Sequence, residues 1–152
     1  MKRKKGHWLD TALRAQQART LDHHYRAHET QLIHEQAAQQ EADALQSLHA
    51  LASSWRKGRD TALLTKDLDQ LYQRFHAQLR DEAADAAKAS TAHQQALDEA
   101  LGHLRQSHAR QQALGRTVER RDRGIAKDLQ ARERGMANEA WVLAQAGKKG
   151  SE

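Results

Sequence analysis

Cysteine and proline are both missing from the 152 residues. Without cysteine there is no disulfide framework and no thiolate chemistry, and a reducing compartment is compatible. Without proline the strongest helix breaker is gone. Aromatic residues make up only 4% of the chain (Trp8, Tyr25, Trp55, Tyr72, Phe75 and Trp141) and hydrophobic residues 38%. That is little material for a compact core. No apolar run approaches the ~20 residues that a membrane span requires. Lys2, Arg3, Lys4 and Lys5 are followed by Asp10, Arg14 and Arg19 rather than by an apolar signal core. A soluble, intracellular protein is the expectation.

What remains is rich in Ala, Gln, Leu, Arg and Glu, and 30% of residues are charged. Disorder is one reading of so polar a chain. These residues are helix formers, however, and the composition suits a coiled coil better. From Leu97, steps of four and three reach Leu101, Leu104, His108, Gln111, Gly115, Val118, Asp122, Ile125, Leu129, Arg132, Met136, Glu139 and Leu143. This is a coiled-coil seam with an apolar majority and several polar positions. Polar seam residues cost stability and set register or partner choice, so the C-terminal helix reads as built for insertion into a partner. A helix over 61–146 would be roughly 130 Å long.

The chain before it is helical too, from about 8 to 57, with Leu9, Leu13, Leu21, Tyr25, Leu32, Leu45, Leu48, Leu51 and Trp55 at helical spacings. Its stripe thins between Ile33 and Ala42. Gly58 suits a C-terminal cap after Arg56 and Lys57, and Asp60 or Thr61 suits an N-cap for the next helix. A turn at about 58–60 is therefore expected, the rival being one uninterrupted helix. The predicted fold is all-α, an elongated antiparallel two-helix coiled-coil hairpin with unequal arms, spanning 1–152 as a single unit. A basic N-terminal tail (1–7) and a short C-terminal tail (147–152) would fray, and residues 111–145 would overhang the first arm, apart from whatever the chain's first residues cover.

Charge is sorted along the second helix. Residues 60–100 hold eight acids and four bases, whereas 105–134 hold nine bases and four acids. A solvated face explains some of this, but strong segregation points to partners of opposite charge. The histidines His23, His24, His28 and His34 lack a His-Glu-x-x-His pattern and companion ligands, so neither metal nor cofactor is expected. No phosphate loop, nucleophile elbow or catalytic constellation is present, and the chain reads as a non-enzyme. The basic stretch is itself in the heptads and mixed with acids, unlike a basic leucine-zipper arrangement, which makes nucleic acid the weaker alternative.

The segment Tyr72-Gln73-Arg74-Phe75-His76-Ala77-Gln78-Leu79 resembles the Tyr-Gln-x-Phe-x-x-x-Leu segment of the FliJ/YscO family of bacterial flagellar and type III secretion systems, nearest to the stalks of Hrp-type injectisomes. Chain length, the absence of proline, the unequal hairpin and the Arg/Glu-rich stretch from Val118 to Trp141 are similar as well. The resemblance implies a cytoplasmic, non-catalytic ATPase stalk for protein transport, held at the inner membrane only through its partners. It would link the hexameric export ATPase to the cytoplasmic domain of the export-gate protein. The family's gate-contacting patch maps onto Leu45, Leu48, Ala52, Phe75 and Leu79, with Leu48 and Ala52 standing where the family carries aromatics. The resemblance places the end with both termini in the ATPase ring. Arg116, Arg120, Arg121, Arg123, Lys127 and Arg134 would then contact it, together with Val118, Ile125, Leu129 and Met136. Secretion chaperones are open as further partners, and a self-associating scaffold with no ring partner is the competing class.

Overall fold

The computed structural model describes residues 7–62 and 65–149, with side chains through residue 146. Of the two tails expected to fray, residues 1–6 and 150–152 lie outside the described residues, whereas His7 belongs to the first helix and residues 147–149 to the second. Two helices, α1 (His7–Asp60, 54 residues) and α2 (Lys66–Lys149, 84 residues), pack against each other as a hairpin, with no strand among the described residues.

The reversal comes later than the predicted turn at 58–60. Gly58 stays inside α1, and the break falls at Thr61 and Ala62. There the Thr61 N–H and hydroxyl both donate to the Lys57 carbonyl (3.1 and 2.9 Å), and the Ala62 N–H donates to the Arg59 carbonyl at 3.2 Å. Ala62 takes a left-handed conformation (φ 53°), the geometry that usually selects glycine after a helix. Neither Asp60 nor Thr61 caps α2. Thr65 does, its carbonyl accepting from Asp69 N–H at 3.0 Å and its hydroxyl lying 3.4 Å from Leu68 N, with Asp67 and Asp69 in the positive first turn. A glycine in a helix costs only about 1 kcal/mol, so the capping alternatives downstream outweigh it.

The chain divides into two units, Thr20–Gln106 and Met1–Arg19 with Ser107–Glu152. In the first, the covered positions of α1 run through His23, Ala27, Thr30, His34, Ala37, Glu41, Ala44, Leu48, Leu51 and Trp55, in steps of four and three. Those of α2 run likewise through Tyr72, His76, Leu79, Ala83, Ala86, Ser90, His93, Leu97, Ala100 and Leu104. The deepest are all small: Thr20, Ala27, Ala37, Ala83 and Ser90. Small side chains let two helices approach closely, but each hides little apolar area. No large side chain is fully buried among the described residues. Leu21, Tyr25, Leu32 and Leu45, expected in the stripe, are exposed instead. Within this unit the line from His23 to Leu48, Leu51 and Trp55 passes through the small residues and leaves 21, 25 and 32 outside it.

In the second unit, Leu9, Leu13 and Gln16 of α1 are covered together with Ser107, Gln111, Leu114, Val118 and Arg121 of α2. The Gln16 amide donates to the Ser107 carbonyl (3.2 Å) and hydroxyl (2.8 Å). The predicted seam took Leu101, His108, Gly115 and Asp122. Of that seam, Leu97, Leu104, Gln111 and Val118 are covered as expected, and Leu101 and Gly115 are half-buried like their neighbours Ala100 and Leu114; His108 and Asp122 are exposed, and the hydrogen-bonded Ser107 and Arg121 are covered in their place. Residues 122–146 are exposed throughout. This free stretch begins later than the expected 111, since moving the reversal along the chain shifts each α2 partner by twice as much.

Candidate interaction surfaces

Helical geometry sorts the bases of the unit that contains Ser107–Glu152 onto one face. Arg116, Arg120, Arg123, Lys127 and Arg134 follow steps of four, three, four and seven, and all are exposed. At 3.6 residues per turn they share the side of α2 opposite Val118 and Leu114. Gln112, Gln130, Asn138 and Trp141 complete this face, so it carries no carboxylate of its own. Glu119 at its margin reaches Arg123 at 3.5 Å between two well-exposed side chains. Asp122, Asp128, Glu133 and Glu139 turn toward the seam side. A continuous basic stripe of this kind attracts an anionic surface without demanding one orientation.

Arg121 belongs elsewhere. It lies on the seam, and its guanidinium donates to both Asp10 oxygens, Nη1 to Oδ2 at 3.0 Å and Nη2 to Oδ1 at 2.9 Å. Its Nε donates to Asp122 Oδ1 at 2.9 Å. With 21% of its side chain exposed, it is the least accessible base with a described ion pair. The hydrogen bonds from Arg121 hold the Asp10 carboxyl below its ordinary value, against a smaller desolvation effect, and the two carboxylates push the Arg121 guanidinium upward. The planar fork meeting a carboxylate edge-on makes this an orienting clasp between the helices. Of the apolar residues predicted with it, Val118 is half-buried in the seam, whereas Ile125, Leu129 and Met136 are exposed.

The predicted gate patch lies in the unit Thr20–Gln106. Phe75 (50% exposed) and Leu45 stand in solvent, and Leu48, Ala52 and Leu79 are half-buried. Leu68 and Leu71 extend the exposed apolar surface from Phe75 toward the start of α2. Beside it is an aromatic clasp that periodicity did not reveal. Trp55 stacks on Tyr72 (centroids 4.6 Å apart, 15° between planes), its indole N–H donates to Asp69 Oδ1 at 2.9 Å, and Arg59 sits 5.3 Å above its ring. The only signal was tryptophan before the break and Asp69 with Tyr72 after it.

The histidines divide as well. His23 stacks on His103 across the helices at 6.0 Å, in a shallow groove with Arg26, Glu29 and Glu99, while His24 and His28 are exposed. His34 lies in the seam with its Nδ1 buried and unbonded. Among the described residues no three metal-type ligands converge, and no helix is long and apolar enough to cross a membrane. No protein-family model matches the chain, and neither a curated protein nor a solved structure does.

Proposed function

We propose that this protein is a non-catalytic stalk of a type III secretion export apparatus, joining a hexameric export ATPase to an export-gate protein on the cytoplasmic side of the inner membrane. The observation that carries the reading is the acid-free basic face of α2, Arg116 to Arg134, on a helix that continues past its last covered residue, Arg121. A stalk inside a ring of identical subunits must be held without being locked. Many weak, screened charge contacts suit that task, each on the order of 0–1 kcal/mol, where a few deep bidentate pairs would not. The Tyr72-to-Leu79 segment, with its likeness to the FliJ/YscO family, supports the same assignment. In that assignment the gate contact is made by the exposed Phe75 and Leu45 and the half-buried Leu48, Ala52 and Leu79.

The deciding experiment is copurification with the secretion ATPase from the same cell. Arg116, Arg120 and Arg123 are reversed to Glu, and Arg121 is left in place because its loss would open the Asp10 clasp. ATPase association and secretion should fall, the difference from wild type being largest at low salt and shrinking as ionic strength rises past a ~10 Å Debye length, while gate binding persists. Phe75→Ala should do the converse, weakening gate binding at unchanged helicity. ATPase binding that ignores both salt and the triple reversal overturns the charge assignment. Retardation of DNA or RNA at physiological salt, abolished by the same reversal, would transfer the basic face to nucleic acid.

A further inference from the structure

We infer that the exposed part of α2, residues 122–146, pairs antiparallel with the same segment of a second copy through Ile125, Leu129, Arg132, Met136, Glu139 and Leu143. Ile125, Leu129 and Met136, expected with the bases against the ATPase ring, are here given a second copy as their occupant, and the basic face on the opposite side of α2 stays open. The six residues follow steps of four, three, four, three and four, so they form one stripe in line with the covered residues Val118 and Leu114. Its apolar members are 52–72% exposed, which leaves a seam-type surface standing in water. The segment holds four acids and four bases, so two copies do not repel each other.

The spacing reads the same in both directions about residue 134. An antiparallel pair therefore sets Ile125 against the second copy's Leu143 at each end, Leu129 against Glu139, and Arg132 against Met136. Arg132 of one copy then lies about 4.5 Å along the axis from Glu139 of the other, three residues at 1.5 Å each. A guanidinium spans that distance readily, and two-fold symmetry supplies the pair twice. In a parallel pair Arg132 would face Arg132 and Glu139 would face Glu139 inside the seam. Charge thus selects the antiparallel arrangement and explains why a polar pair interrupts an apolar stripe.

The absence of native cysteine makes the test direct. Sedimentation equilibrium of the full chain over a wide concentration range should show a monomer–dimer equilibrium. Arg132→Glu should raise the dissociation constant by about tenfold or more, since it sets two carboxylates together in each half. The double exchange Arg132→Glu with Glu139→Arg should restore it, and Trp141→Ala, on the opposite face, should leave it unchanged. Ile125→Cys and Leu143→Cys chains should oxidise to a mixed disulfide dimer when combined, each alone forming no disulfide under the same oxidant. Circular dichroism of each variant checks that the helix persists. A monomer at every concentration, a double exchange that fails to restore association, or homodisulfides formed by Ile125→Cys alone would each overturn the proposal.

Discussion

Two stretches of this hairpin solve the same problem in opposite ways. Around the helix junction, Trp55, Tyr72 and Asp69 interlock, so a few large side chains hold α1 to α2 with ring stacking and a charge-assisted hydrogen bond. From residue 122 to 146, α2 has its large apolar side chains in solvent and glycines at 124 and 135. One stretch is tied down by its own chain, and the other keeps its adhesive surface for something else. Between these extremes the helices meet through alanine, serine and threonine, which bring the backbones together but contribute little apolar burial. The deepest positions go to small residues, while leucines such as Leu48, Leu79, Leu97 and Leu114 are only half-buried beside them.

That contrast breaks most visibly at Trp55. Trp55→Ala removes an aromatic pair worth about 0.5–1.5 kcal/mol and a bond to a carboxylate worth about 1.5–3. The expected loss of about 2–4 kcal/mol should appear in urea unfolding. Trp55→Phe keeps the stack and should recover only its share, about 0.5–1.5 kcal/mol. If Trp55→Ala leaves the midpoint unchanged, the junction is not clasped.

At the other extreme, a side chain is free to be added. Cβ atoms at Gly124 and Gly135 would meet nothing within 4 Å. Changing both to Ala should therefore stabilise that stretch of helix by about 1 kcal/mol per site. Hydrogen exchange should slow across residues 122–146 and stay as it was around Trp55. Exchange unaltered in the C-terminal stretch would mean that glycine does not limit its helicity.

A smaller effect tests the seam between these stretches. His34 carries a buried, unbonded Nδ1, so His34→Leu should raise stability by about 1 kcal/mol by ending that penalty. A loss of stability would show that the ring finds a partner the hairpin needs.

The smallest effect concerns acid. Asp10 has its folded value depressed from 3.8 by Arg121, so its contribution is present above that ordinary value and fades as pH falls through the lowered one. Melting curves of the wild type and Asp10→Asn should therefore differ at neutral pH and converge below about pH 4. A difference that persists in acid would detach the clasp from Asp10 ionisation. Added salt should shrink it as well.

Much of this was legible beforehand. The absence of proline and the 3.5-residue rhythm set two long helices, and the break near residue 60 set a hairpin with a short and a long arm. Those are properties of local backbone preference and of periodicity, which a linear chain displays directly. The basic residues 116, 120, 123, 127 and 134 could also be named in advance, and placing them on a helical wheel would have separated them from Arg121. Three matters needed the folded molecule. The turn moved past Gly58 because caps at Thr61 and Thr65, with Ala62 left-handed between them, compete against a glycine that a helix tolerates cheaply. At two seam positions the hydrogen-bonded Ser107 and Arg121 are covered in place of His108 and Asp122. Partners such as Gln16 with Ser107 and Asp10 with Arg121, some 91 and 111 residues apart, depend on where the reversal falls. Periodicity states that a helix has a sticky side, but which residues of the other helix meet it is decided only when the two are laid against each other, where the contact leaves His108 and Asp122 outside and takes Ser107 and Arg121 in.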